Sequence, residues 1–143
     1  MILQRDGRME IKNPWIKKNG CYYVCLLNFI NKFTNMELSP ESIAGPMFRL
    51  FVKNGWMSDV AWIKDPEAIL GWGGVQCEYT DKHEPPTRMC GEGEFEILYF
   101  RHPEVGGHFV CGDGNGNVTY DPWGVSRAAT EGTLVSKRVF ARA

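Results

Sequence analysis

The apolar pattern of this chain changes its period once, near residue 75, and that change limits the fold more than any other feature. Before it, Tyr22, Val24, Cys25, Leu26, Phe29, Ile30 and Phe33 recur at helical spacing, so residues 21 to about 34 read as a largely buried helix. Ser39-Pro40-Glu41 opens a second helix, with a serine cap, proline at the first helical position and an acid near the positive end of the dipole. That helix runs through Ile43, Met47, Leu50 and Phe51 to Asn54-Gly55, with Pro46 placed to kink or split it. Asp65-Pro66-Glu67 opens a third that ends before Gly71-Trp72-Gly73-Gly74. Residues 1 to 13 are polar and turn-rich and read as a lead-in or edge strand, and Asn13-Pro14 and Asn19-Gly20 are turn signals.

Beyond residue 75 the pattern is of strands. Residues 75–80, FEILYFR, GGHFVCGDG, NVTYDP and SKRVFAR are short apolar runs separated by Gly-rich turns, with a Pro- and Gly-rich loop from His83 to Gly93. GDGNGN at 112–117 marks a tight hairpin. Helices followed by an antiparallel sheet is the α+β pattern, and 143 residues suit one domain, 1–143, with a core of its own.

Charge and cysteine usage remove several function classes. Sixteen basic residues against 17 acidic ones give a net charge of −1, which favours neither nucleic acid nor an anionic membrane. No apolar run approaches the roughly 20 residues that span a bilayer. MILQRDGRMEIKN lacks the apolar stretch of a signal peptide, so a cytoplasmic protein is expected. The cysteines, Cys21, Cys25, Cys77, Cys90 and Cys111, are odd in number and include no C-x-x-C pair, which argues against a disulfide framework and against structural zinc. Free thiols remain, and the question becomes whether one is reactive.

Cys21 falls at the first turn of its helix, where the dipole favours a thiolate, and the preceding Gly20 leaves room for a substrate backbone. Cys25, one turn further, sits among apolar neighbours. Read alone, Cys21 is equally a small buried residue. A base is needed to decide. His83 lies in the Pro-rich loop and His102 before Pro103, both simply read as surface turns, whereas His108 begins a strand after two glycines. Counting from a turn centred near Asn115, His108 lies seven residues before it and Asp121 six after, so an antiparallel pair sets them nearly opposite. Asp113 and Asn117 are the competing orienters, nearer the turn. Cys, His and Asp supply a nucleophile, a base and an orienter.

GCYYVCLLNF, followed much later by GHFV and YDPWG, resembles the papain-like cysteine peptidase superfamily. It is most similar to the branch that removes leader peptides from bacteriocins, with small related proteins of bacteria and their phages. The resemblance implies a papain-like α+β fold, with the N-terminal helices packed on the C-terminal sheet and a cleft between them. It implies Cys21, His108 and Asp121 as the catalytic residues, a peptide or protein substrate, and no cofactor. Tyr22, Gly107 and Trp123 are the candidates for lining the cleft. In that family a glutamine a few residues before the cysteine helps bind the oxyanion. Gln4 and Gln76 are not so spaced, so Asn19 and Lys18 become the candidate donors, with the Cys21 N–H. A non-catalytic binding module on the same scaffold and a thiol acyl transferase are the alternatives. Trp56, Trp62 and Trp72 read as packing residues, and Glu92, Glu94 and Glu96 as a solvated strand face.

Overall fold

The computed structural model describes residues 3–143. The chain is α+β, with its helices first and an antiparallel sheet after them, and divides into two compact units, Met1–Val75 and Gln76–Ala143. No helix among the described residues is long and apolar enough to cross a membrane.

The first unit contains α1 (Gly7–Glu10), α2 (Pro14–Asn19), α3 (Cys21–Thr34), α4 (Pro40–Ala44), α5 (Pro46–Lys53) and α6 (Pro66–Trp72). Local chemistry sets most of the starts. Asp6, Asn13, Ser39 and Asp65 each cap a helix by accepting a backbone N–H, from Arg8, Trp15, Ser42 and Ala68. Proline stands in the first turn of α2, α4, α5 and α6, where no N–H is missed. Asn13-Pro14 thus begins a helix, and the segment expected to be a lead-in or edge strand carries α1 instead. Its first two residues lie outside the described ones. Pro46 splits the second expected helix in two at Gly45.

Helix α3 is the spine of this unit: Tyr23 through Leu27, Phe29 and Ile30 are all buried. They share a core with Met9, Ile16, Ile43, Phe51, Met57, Ile69, Leu70 and Val75, where each large aliphatic or aromatic side chain contributes about 1.5–3 kcal/mol of burial. Trp56 and Trp72 pack on Phe51, with ring centroids at 5.8 and 5.0 Å. Trp62 does not pack as expected. It is 57% exposed, on a tight loop where Ala61 adopts φ 69 and the Trp62 N–H is held by Ser58 Oγ.

The second unit is a sheet of β1 (Cys77–His83), β2 (Glu94–His102), β3 (Gly106–Gly112), β4 (Val118–Tyr120) and β5 (Thr133–Arg142), in the order β1-β5-β2-β3-β4 with every pairing antiparallel. A short helix that periodicity did not announce, α7 (Arg127–Glu131), precedes β5. Ala128 of α7 packs with Leu98, Phe100 and Val110, flanked by Ala129 and Leu134. His108 pairs with Phe100 and lies two residues from Val110, so it shares the face that α7 covers.

Glu96 overturns the reading of Glu92, Glu94 and Glu96 as a solvated face. Its side chain is fully buried and takes Lys137 Nζ at 2.7 Å, while its other oxygen accepts the Gly114 and Gly116 N–H groups at 2.9 Å. Lys137 also donates to the Arg88 carbonyl at 2.7 Å. Glu94 is held by Arg88, at 2.7 and 3.0 Å. Glu94 and Glu96 are thus ion-paired, whereas Glu92 is exposed as expected.

Candidate active site

The β3–β4 hairpin brings His108 and Asp121 together. Cys111 pairs with Tyr120, and a register shift follows at Gly112 and Val118. Asp121 therefore stands level with Val110, one step diagonal to His108 on the same face rather than opposite it. The diagonal contact is a hydrogen bond of 2.7 Å between His108 Nε2 and Asp121 Oδ1, with both side chains close to fully buried.

Asp121 is held from every side. Oδ1 also accepts the Trp123 N–H at 2.9 Å, and Oδ2 accepts the Ser126 N–H at 3.0 Å and the Ser126 hydroxyl at 2.6 Å. Asp121-Pro122-Trp123-Gly124 is a turn closed by the Gly124 N–H on the Asp121 carbonyl, and the aspartate side chain caps it from within. Burial pushes the Asp121 carboxyl up, but the bonds from His108, Ser126 and Trp123 outweigh it and hold the group down at about 2. An ionised carboxylate only accepts, so His108 Nε2 carries the hydrogen. Neutral His108 then has its basic lone pair on Nδ1.

The competing residues have other duties. Asp113 accepts the Asn115 and Asn117 N–H groups and the Asn117 side-chain amide, so Asp113 and Asn117 build the turn between β3 and β4. His102 is buried rather than on a surface turn: its Nδ1 accepts the Glu104 N–H at 3.0 Å, and its Nε2 lies 3.4 Å from Glu131. His83 closes β1. Trp123 is half-buried and serves Asp121 through its backbone. Gly107 is exposed and pairs with Arg101, and a Cβ there would fall on the Tyr99 ring.

In the first unit, Cys21 is the first residue of α3 and is half-buried, as is Tyr22 beside it, while Cys25 is fully buried. Gly20 does not leave open room. It is buried, and a Cβ there would strike the Ile16 carbonyl, so glycine is what lets α2 run almost directly into α3. Asn19 Nδ2 donates to the Val60 carbonyl at 3.0 Å, and exposed Lys18 lays its ammonium over the Trp15 ring, 5.2 Å from the centroid. The bond to Val60 uses one Asn19 amide N–H and leaves the second.

Gln4 is the residue that spacing overlooked. It is 3% exposed, and its Nε2 donates to the Lys17 carbonyl at 2.8 Å, the acceptor that a continuing helix would present to the Cys21 N–H. Its Oε1 is buried with no hydrogen-bond partner. The chain between Gln4 and Cys21 folds into α1 and α2, which returns the glutamine to the turn before the cysteine. Ser126 was likewise unforeseen, and only its place as the cap of α7 marks it in the sequence. Among the described residues, no group of three or more His, Cys, Asp or Glu side chains is arranged to hold a metal ion.

One protein-family model matches the chain, over residues 1–142, and is described as a protein of unknown function, DUF261. The chain belongs to the DUF261 family. No curated protein matches it, and no solved structure does.

Proposed function

We propose that this DUF261 protein is a papain-like cysteine hydrolase, a peptidase or amidase that works through a thioester acyl-enzyme. Cys21 is the nucleophile, His108 the general base and acid, and Asp121 the orienter of His108. One observation carries the reading: the 2.7 Å bond from His108 Nε2 to a buried carboxylate whose four acceptor positions are all filled. A histidine kept for packing needs no such anion. A base that becomes imidazolium does, since the anion fixes the tautomer and stabilises the charge.

In the first step Cys21 Sγ attacks the carbonyl carbon and its proton passes to His108 Nδ1. The C–N bond then breaks as His108 returns that proton to the leaving amine. Water, deprotonated by His108, attacks the thioester and restores the thiol. Gln4 and the Cys21 N–H are assigned to the oxyanion in place of Asn19 and Lys18, because Gln4 is buried and anchored on the Lys17 carbonyl, four positions before Cys21. The resemblance of Cys21, His108 and Asp121 to the papain-like pattern supports the same assignment. A reducing, cytoplasmic setting suits five cysteines with no disulfide among the described residues.

The test is covalent labelling by a peptide-derived acylating probe, with peptide turnover followed by mass spectrometry. Wild type is expected to form one adduct on Cys21. Cys21→Ala abolishes it, and His108→Ala slows it by about 10²–10⁴. Equal labelling of wild type and His108→Ala would sink the reading and leave a binding module. Transfer of the acyl group to an amine rather than to water would make the enzyme an acyl transferase.

A further inference from the structure

We propose that Ser126 is a positioning residue of the His108–Asp121 pair, holding the carboxylate by hydroxyl and amide so that Oδ1 stays aimed at His108 Nε2. The functional consequence rests on the catalytic reading above; the positioning itself rests on geometry alone. A carboxylate rotates readily about Cβ–Cγ, where the torsional preference is broad. Two donors from one residue, at 2.6 and 3.0 Å on Oδ2, stop that rotation.

Ser126 is itself immobilised. It is 8% exposed, and each of its polar groups is engaged. The N–H and hydroxyl go to Asp121, and the hydroxyl oxygen accepts the Ala129 N–H at 3.2 Å. Its carbonyl accepts the Thr130 N–H at 3.1 Å and the Thr130 hydroxyl at 2.8 Å. The single hydroxyl hydrogen has a fixed destination, because the anion only accepts while the Ala129 amide only donates. Helix α7 then closes a ring of contacts. It packs through Ala128 on Leu98, Phe100 and Val110, of which Val110 shares β3 with His108. Strand β3 carries His108, α7 lies against that strand, Ser126 starts α7, and Asp121 joins Ser126 back to His108. A helix of five residues adds little core, yet it fixes the carboxylate relative to the strand that bears the imidazole.

A plain helix cap needs only an acceptor at Ser126, whereas orienting Asp121 needs a donor. Proton NMR of the full chain separates the two roles. The hydrogen of a short, buried His–Asp bond gives a slowly exchanging resonance far downfield, assigned by its loss in His108→Ala. Ser126→Ala is expected to move that resonance upfield or lose it to exchange, with the remaining spectrum still dispersed, and Ser126→Thr to restore it. In turnover, Ser126→Ala is expected to lower kcat with KM held, and Thr to recover it. A resonance unchanged in Ser126→Ala, with only the thermal midpoint lowered, would leave Ser126 as a cap and overturn the proposal. Absence of the resonance from wild type would overturn both this proposal and the catalytic pair. Dependence on Ser126 without any effect of His108 on Cys21 labelling would keep the positioning role and remove the hydrolase.

Discussion

Lys137 Nζ and Glu96 Oε1 meet at 2.7 Å with the two side chains 1% and 0% exposed, and this pair ties three segments of the sheet unit together. Lys137 reaches the Arg88 carbonyl in the loop after β1, and Glu96 gathers the Gly114 and Gly116 N–H groups of the hairpin. Removing one partner leaves the other charge buried and uncompensated, which costs about 3–5 kcal/mol. Lys137→Met is therefore expected to lower the free energy of unfolding by that amount, measured by denaturant titration. That is a large share of the roughly 5–15 kcal/mol that holds a domain together. A loss below about 1 kcal/mol would mean that the pair is worth no more than a surface one.

Acid should weaken the fold partly through Asp121. Its carboxyl is held at about 2 in the folded chain against an ordinary 3.8, so the unfolded chain binds the proton first as pH falls. The stabilisation is complete above the ordinary value and is lost as pH falls through about 2. Glu94, Asp6 and Asp113 are lowered too, so the wild-type curve alone is not diagnostic. Asp121→Asn is expected to be less stable at neutral pH, with the difference from wild type closing between pH 4 and 2. Parallel urea midpoints across that window would refute the assignment.

The thiols should differ sharply under a small alkylating reagent at neutral pH. Cys25 and Cys111 are fully buried. Burial, with the neighbouring Glu96 carboxylate, pushes the Cys90 thiol up to about 11, so it holds its proton and reacts slowly. Cys21 and Cys77 are both half-buried, and only Cys21 begins a long helix. Peptide mapping after brief exposure is expected to find Cys21 modified first, and His108→Ala to slow Cys21 while leaving Cys77 as it was. Cys77 reacting as fast as Cys21 would count against activation.

Signals carried by adjacent residues were legible: Ser39-Pro40, Asp65-Pro66, the GDGNGN turn and the helical spacing from Cys21 each became the element they announce. The His108–Asp121 contact was legible because a tight hairpin converts sequence distance into register, and the shift at Gly112 moved it by only one diagonal step. What failed was non-local. Glu96 looks solvated until Lys137, 41 positions on, is set beside it, and Gln4 looks misplaced until α1 and α2 bring it to Lys17. Helix α7 is too short to show a period, so no local pattern singled out Ser126.

Gln4 supplies the sharpest test of the oxyanion assignment. Its amide is anchored by one N–H on the Lys17 carbonyl, four positions before Cys21, and a primary amide has a second N–H to offer. Gln4→Ala is expected to lower turnover by roughly 10²–10³, the usual cost of one oxyanion donor. The accompanying loss of stability should stay near the ~1 kcal/mol of a single hydrogen bond. Gln4→Glu keeps the size but turns an acceptor toward the Lys17 carbonyl, so it should lose both the anchor and the rate. Asn19→Ala removes only the bond to Val60 and should leave turnover within a few-fold of wild type. Turnover measured on the three variants decides: a larger defect in Asn19→Ala than in Gln4→Ala would return the oxyanion to the residues beside Cys21.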